Sequence, residues 1–175
     1  MKRIFLSLFI ATTVAVGWAN NNSSTLAEMN ARMTLEEDVP EFIPDFTLPL
    51  YDGGELTLSS LRGKYVVLDF WGTWCGWCIK GMPKLKAYME KYPGAFEIIG
   101  VDCGDREPKW REVVPTLDMP WKQVIIETRR EVQRSYDLKG FPTKFIIDPE
   151  GRILKKFTGE DPRFYKALDD LFGGK

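Results

Sequence analysis

Apolar and polar positions along the chain fall into two kinds of block. Residues 46–50 and 55–58 are short runs separated by Asp52-Gly53-Gly54, a spacing that predicts a β-hairpin. Residues 65–71 (YVVLDFW) and 96–102 (FEIIGVD) are nearly continuous apolar runs rich in β-formers, as expected of strands covered on both faces. Between them Ile79, Met82, Leu85 and Met89 recur at helical intervals, predicting a helix over 75–92 with Pro83 as a kink. Residues 108–117 suit a helix with Pro108 at its first position, 123–126 a short strand, and 128–137 a polar helix. Residues 143–147 and 152–157 pair as a hairpin across Asp148-Pro149-Glu150-Gly151, a type I turn sequence. Asp161-Pro162 opens a last helix with Phe164, Leu168, Leu171 and Phe172 on its apolar face and Gly173 past its end. This order predicts an α/β sandwich of three layers in which residues 41–175 form one folded domain.

The first forty residues read differently. Lys2 and Arg3 precede an apolar run of about 13 residues, interrupted by Ser7, Thr12 and Thr13, and Gly17-Trp18-Ala19 then offers small residues around a cleavage point. This is the layout of a secretory signal peptide over 1–19; the run is short against the roughly 20 residues a membrane span needs. Export to the periplasm is the expectation, with an uncleaved, membrane-anchored form as the alternative. Residues 20–40 begin NNNSST and predict a flexible or partly helical linker.

Composition narrows the chemistry. Of 175 residues, 44% are apolar and 13% aromatic, enough for a packed core. Lysine and arginine number 24 against 25 acidic residues, so no bulk positive field attracts nucleic acid. There is no histidine, which excludes Ser–His–Asp and Cys–His catalysis and histidine-ligated zinc, copper or haem. Three cysteines are too few for a four-thiolate zinc site. No cofactor and no metal are expected, and the reaction is left to thiols, carboxylates, lysines or tyrosines.

The segment Trp74-Cys75-Gly76-Trp77-Cys78 lies where a buried strand hands over to a helix. A helix N-terminus carries unpaired N–H groups and about half a positive charge, which stabilises an anion. A thiol placed there ionises more readily than free cysteine, and the thiolate is the nucleophile of disulfide exchange. A second cysteine three residues on sits one turn deeper on the same face. Cys75 is therefore read as the attacking nucleophile and Cys78 as the resolving thiol. A structural disulfide is the competing reading, but such bridges stabilise most when they close longer loops. Haem attachment needs a histidine where Ile79 stands, and a peroxidatic cysteine needs a hydroxyl residue where Gly72 stands.

LDFWGTWCGWC, the later Gly140-Phe141-Pro142-Thr143 and FIIDPEGRILKKF resemble the thioredoxin superfamily. The preceding PDFTLPLYDGGELTLSSLRGKYVVLDFWGTWC is similar, more narrowly, to exported thiol–disulfide oxidoreductases of the TlpA/ResA type. The resemblance spans about residues 42–172 and implies a thioredoxin fold: α/β/α layers, a central mixed sheet and an N-terminal hairpin extension. It implies that Cys75 and Cys78 are the redox pair, that Pro142 is cis and faces them, and that Asp69 is a buried acid exchanging protons with Cys78. A substrate chain would dock in extended form beside Phe141 and Pro142, bordered by Trp74, Gly76 and Trp77. The implied partners are protein thiols or disulfides and a membrane-bound electron donor, with reduction of substrate disulfides the usual direction. A thiol peroxidase and a non-enzymatic binding module on the same fold remain the alternatives.

This chain departs from that pattern at four positions. Gly81 stands where TlpA/ResA-like chains commonly carry an acid, placing proton transfer on Asp69 or water. Gly100 stands where thioredoxins often have a lysine partner for the buried acid, so no such ion pair is expected. Phe141 is bulky, and Trp77 replaces a common proline. Of the rest, Trp71 and Cys103 read as core, Trp74 as a contact surface, and Arg129, Arg130 and Arg134 as a solvated helix face. Trp77 keeps an N–H in the first helical turn that proline would lack, which favours the thiolate and hence the reduced form. Redox titration should give Trp77→Pro a lower potential than wild type, about 30 mV for each 1.4 kcal/mol; an equal or higher potential would refute the effect.

Overall fold

The computed structural model describes residues 41–174. The predicted leader (1–19), the predicted linker (20–40) and Lys175 lie outside the described residues. In chain order the elements are β1 (Thr47–Pro49), β2 (Glu55–Thr57), β3 (Val66–Trp71), α1 (Gly76–Lys91), β4 (Glu97–Cys103), α2 (Glu107–Val113), β5 (Lys122–Ile126), α3 (Arg129–Ser135), β6 (Thr143–Ile147), β7 (Ile153–Thr158) and α4 (Pro162–Phe172).

All six residues of β3 are buried, and the strand lies at the centre of a five-stranded sheet ordered β5-β4-β3-β6-β7. β3, β4 and β5 run parallel, β6 runs antiparallel to β3, and β7 runs antiparallel to β6. Because side chains alternate across a strand, the sheet has two cores. Val67, Trp71, Ile98, Ile125 and Ile146 pack with Cys78, Met82 and Leu85 of α1, Trp110 of α2 and Phe164 and Leu168 of α4. Leu68, Phe70, Val101 and Phe145 pack with Leu56 of β2 and Val132 of α3. The thioredoxin fold, its mixed sheet and its N-terminal hairpin are as expected.

Local differences have local causes. α1 starts one residue after Cys75 and is continuous across Pro83. Its buried face is Cys78, Gly81, Met82 and Leu85, with Ile79 and Met89 only half-buried; Gly81 has no side chain to announce its place in the stripe. Pro108 occupies the second position of α2, and the helix gives way to a 3-10 turn over Val114–Thr116, where Pro115 cannot donate a hydrogen bond. The second hairpin strand ends at Thr57, and Leu58–Leu61 form another 3-10 turn that buries both leucines. Asp45 holds this turn by accepting from the N–H groups of Phe46 and Ser59 at 3.0 and 2.9 Å. In α4, Tyr165 and Ala167 are buried while Leu171 is half-buried.

Leu85 is fully enclosed between α1 and the sheet. Leu85→Ala is expected to lower unfolding free energy by about 2–5 kcal/mol, measured by chemical denaturation with an unchanged slope.

Candidate active site

Cys75 caps α1. Its Sγ accepts the Cys78 N–H at 3.2 Å, the position at which Ser or Asp oxygens usually cap helices. The donor on the sulfur is thus the Cys78 N–H rather than that of Trp77. Cys75 and Cys78 are joined in a disulfide with Cα atoms 5.3 Å apart. Cys75 is 7% exposed and Cys78 only 1%, so an approaching thiol meets Cys75 first.

The loop that presents Cys75 is tied to the next strand. The backbone N–H and the hydroxyl of Thr73 both donate to Asp105, at 2.7 and 2.8 Å. The Asp105 N–H donates to Asp102 Oδ1 at 3.2 Å, and Asp102 is completely buried. Burial and the adjacent Asp105 carboxyl push the Asp102 carboxyl up to about 8. Trp74 Nε1 donates to the Cys103 carbonyl at 3.2 Å. Its indole also lies over Gly72, where any Cβ would collide with it. Cys103 is fully buried with Sγ 3.2 Å from the Val101 carbonyl, and burial pushes its thiol well up. The core reading of Cys103 stands, as does that of Trp71, which is 0% exposed and donates to Gln123 Oε1 at 3.0 Å. Sequence reasoning missed Asp102 and Asp105; two acids three apart at the carboxyl end of a buried strand were the available signal.

On the facing loop the Phe141–Pro142 bond is cis. Phe141 meets Trp74 edge-on, with ring centres 5.0 Å apart, which brings the proline loop against the cysteine loop. The Arg129 guanidinium lies 3.5 Å from the Trp74 ring centre. The expectation of a solvated arginine face holds, since Arg129, Arg130 and Arg134 are all exposed, and Arg129 in addition lies over the indole. Gly76 is exposed, and Trp77 is 68% exposed with Lys80 4.9 Å from its ring.

Asp69 is buried on the sheet face covered by α1. Antiparallel pairing sets it opposite Lys144 of β6, whose Nζ is 3.5 Å from Asp69 Oδ1 and 2.7 Å from Glu160 Oε1. The expectation that Asp69 has no lysine partner is therefore wrong. Gly100 has no side chain to supply one, and a Cβ there would collide with the Gln123 amide, but β6 supplies one from the other side. Burial raises the Asp69 carboxyl above its ordinary value against the opposing pull of Lys144. Burial also works against the Lys144 charge, yet Asp69 and Glu160 more than offset it and hold the ammonium above its ordinary value. Asp69 Oδ1 accepts no hydrogen bond. Among the described residues no cluster of three metal-ligating side chains occurs, and no helix is long and apolar enough to cross a membrane.

A disulfide capping a helix, a cis-proline loop packed beside it and a buried acid on the central strand define a thioredoxin-fold dithiol–disulfide protein. The pattern of the AhpC/TSA family matches residues 39–156. ResA, a thiol-disulfide oxidoreductase of Bacillus subtilis, is 34% identical over 117 residues, 66% of this chain and 65% of that protein. ResA of Bacillus cereus is 33% identical over 121 residues, 69% of each chain. The chain spans about two thirds of the length of these curated relatives. Among solved structures, a putative thiol:disulfide interchange protein DsbE from Chlorobium tepidum superposes with a TM-score of 0.68 at 29% identity, covering 77% of this chain and 94% of that one. A thiol:disulfide interchange protein from Bacteroides sp. gives 0.67 at 31% identity, covering 77% and 90%. The chain belongs to the AhpC/TSA family, among its thioredoxin-fold thiol–disulfide oxidoreductases.

The Asp102 environment has a measurable consequence. The folded protein keeps a proton on Asp102 up to about pH 8, whereas an ordinary aspartate loses it near 3.8. The stability this residue contributes therefore falls as pH rises between those values, by at most about 1.4 kcal/mol per pH unit. Asp102→Asn removes that fall, so unfolding free energies measured at pH 5 and pH 7 should decline less, or rise more, than in wild type.

Proposed function

We propose that this chain exchanges disulfides with protein substrates and works as their reductant. The supporting observation is the seating of Cys75 as the cap of α1, with Cys78 bonded to it and buried behind it. In the reduced enzyme the Cys75 thiolate attacks a substrate disulfide; a Cys75–substrate bond forms and one substrate thiolate leaves. Cys78 then gives its proton to Asp69, attacks Cys75 Sγ and releases the second substrate thiolate, leaving the Cys75–Cys78 disulfide. Two electrons have passed to the substrate. An extended substrate segment lies along Phe141 and Pro142, against Trp74, Gly76 and Trp77, so that its disulfide reaches Cys75 in line. The Pro142 carbonyl is already taken by the Gly159 N–H at 2.7 Å, which leaves the backbone of Phe141 as the docking edge.

The leader read in the sequence over residues 1–19 supports an activity outside the cytoplasm, in the periplasm. An oxidising compartment drains a dithiol toward its disulfide, so a reductant there needs an electron supply, which we assign to a membrane-bound dithiol donor. A peroxidase reading is opposed at Gly72, where a hydroxyl residue three before Cys75 would collide with the Trp74 indole. A module that used the fold only for binding would keep its function without either sulfur.

Cys78→Ser in the exporting cell should accumulate mixed disulfides through Cys75 that dissolve on reduction. Cys75→Ser should accumulate none and reduce a model protein disulfide no faster than the uncatalysed rate. Unimpaired reduction by Cys75→Ser would defeat the assignment.

A further inference from the structure

The charges gathered around Asp69 are more than the disulfide reaction by itself requires. Lys144 is 3% exposed and touches two acids: Asp69 on the neighbouring strand and Glu160, which reaches back from the turn between β7 and α4. Of the two contacts, the one to Glu160 is the closer, at 2.7 Å against 3.5 Å. The Glu160 carboxyl also lies against Gly81 of α1, three residues beyond Cys78, so closely that a Cβ there would collide with it. The backbone of α1 beside the resolving cysteine is thus packed closely against a carboxyl group that is distant in sequence, from the turn before α4. One cation serves two acids, Asp69 buried with it and Glu160 at the solvent margin, and Asp69 Oδ1 is left without a hydrogen bond.

We infer that Glu160 is a positioning residue for the proton of the resolving step: by engaging Lys144 it keeps that ammonium from fully neutralising Asp69, and Gly81 is small because the Glu160 carboxyl occupies the space above it. The inference rests on the reading of Asp69 as the acceptor of the Cys78 proton. With Lys144 committed to Glu160, the cluster is electrically balanced when Asp69 carries a proton. When Cys78 must lose its proton to attack Cys75, Asp69 takes it: the S–H bond breaks, an O–H bond forms on the carboxylate, and the substrate thiolate departs. In the reverse exchange Asp69 returns the proton to the Cys78 thiolate. Without the Glu160 charge, Lys144 would hold Asp69 as a persistent carboxylate, a poorer acceptor. An opposite charge within about 4–6 Å typically lowers a carboxyl by 1–3 units, whereas a second acid works the other way.

Other charged or titratable groups border the cluster. Tyr165 of α4 has its hydroxyl raised by burial and by the charges of Glu160 and Asp69. Lys84 of α1 lies 4.0 Å from the Tyr165 ring, and Tyr88 of α1 packs on that ring at 4.7 Å. Cys103 of β4 feels the Asp69 charge, which adds to the effect of burial on its thiol. Lys144 is the cation in direct contact with Asp69 and Glu160 among these groups.

The test is a titration of Asp69 by its carboxyl carbon resonance in the oxidised protein, paired with the pH profile of disulfide release from a Cys75 mixed disulfide. Glu160→Gln keeps the shape of the side chain and is expected to lower both midpoints by about one pH unit. Lys144→Gln should raise them, and this opposite sign separates charge from a loss of packing. An Asp69 midpoint that Glu160→Gln leaves within experimental error of wild type would overturn the inference even in a fully active enzyme. A midpoint that moves while the release profile stays fixed would also overturn it, by detaching the cluster from the exchange. Failure of the wild-type protein to exchange disulfides at all would instead strike the function proposed above. Should Lys144→Gln not fold, the Glu160→Gln titration still decides.

Discussion

The position of one helix terminus organises the site. α1 begins at the carboxyl edge of the central strand, and its first N–H groups need acceptors. One of them, the Cys78 N–H, finds its acceptor in the Cys75 sulfur. A sulfur in that place feels the positive end of the helix as a thiol, in a disulfide or as a thiolate, and the interaction is strongest for the thiolate anion. Everything nearby fixes that terminus against the sheet. Thr73 is clamped through two hydrogen bonds to Asp105, Asp105 is braced by a buried Asp102, and the Trp74 indole is anchored to the Cys103 carbonyl. Loosening these ties would free the loop and remove the geometry that makes Cys75 the cap.

The two flanks of the disulfide are built from different physics. Outward, Phe141 meets Trp74 edge-on and the Arg129 guanidinium lies over the Trp74 ring, with Trp77 standing into solvent. Rigid aromatic surface of this kind gives contact area at small conformational cost when another chain docks. Inward, the sheet face under α1 carries a buried carboxyl, a buried ammonium and a third charge at the margin. In a low-dielectric interior such groups interact strongly and their proton is sensitive to small changes in pairing. Substrate contact and proton handling therefore fall on opposite sides of the same two sulfurs.

Much of this was legible in the chain itself. The buried runs at β3 and β4, the Asp-Gly-Gly turn, the Asp161-Pro162 helix start and the spacing of the two cysteines are local signals, and each element formed within a few residues of its predicted bounds. The likeness around Phe141 and Pro142 carried the cis bond, which local propensity alone would have read as trans. Errors of extent came from residues that say little by themselves: Gly81 hid the true buried stripe of α1, and Pro115 cut α2 short.

The sequence by itself determined the sheet, the dithiol at a helix start and the class of reaction, because hydrophobic period, capping and cysteine spacing act over a few neighbouring residues. Only the tertiary structure decided who stands beside whom: that Lys144 partners Asp69, that Glu160 reaches Gly81 and that Arg129 covers Trp74. Those pairs are separated by tens of residues and meet through strand register, loop course and the angle at which helices lie on the sheet. No local pattern encodes such meetings, since a lysine on a strand and a glutamate in a turn look like solvated charges until folding removes the water between them.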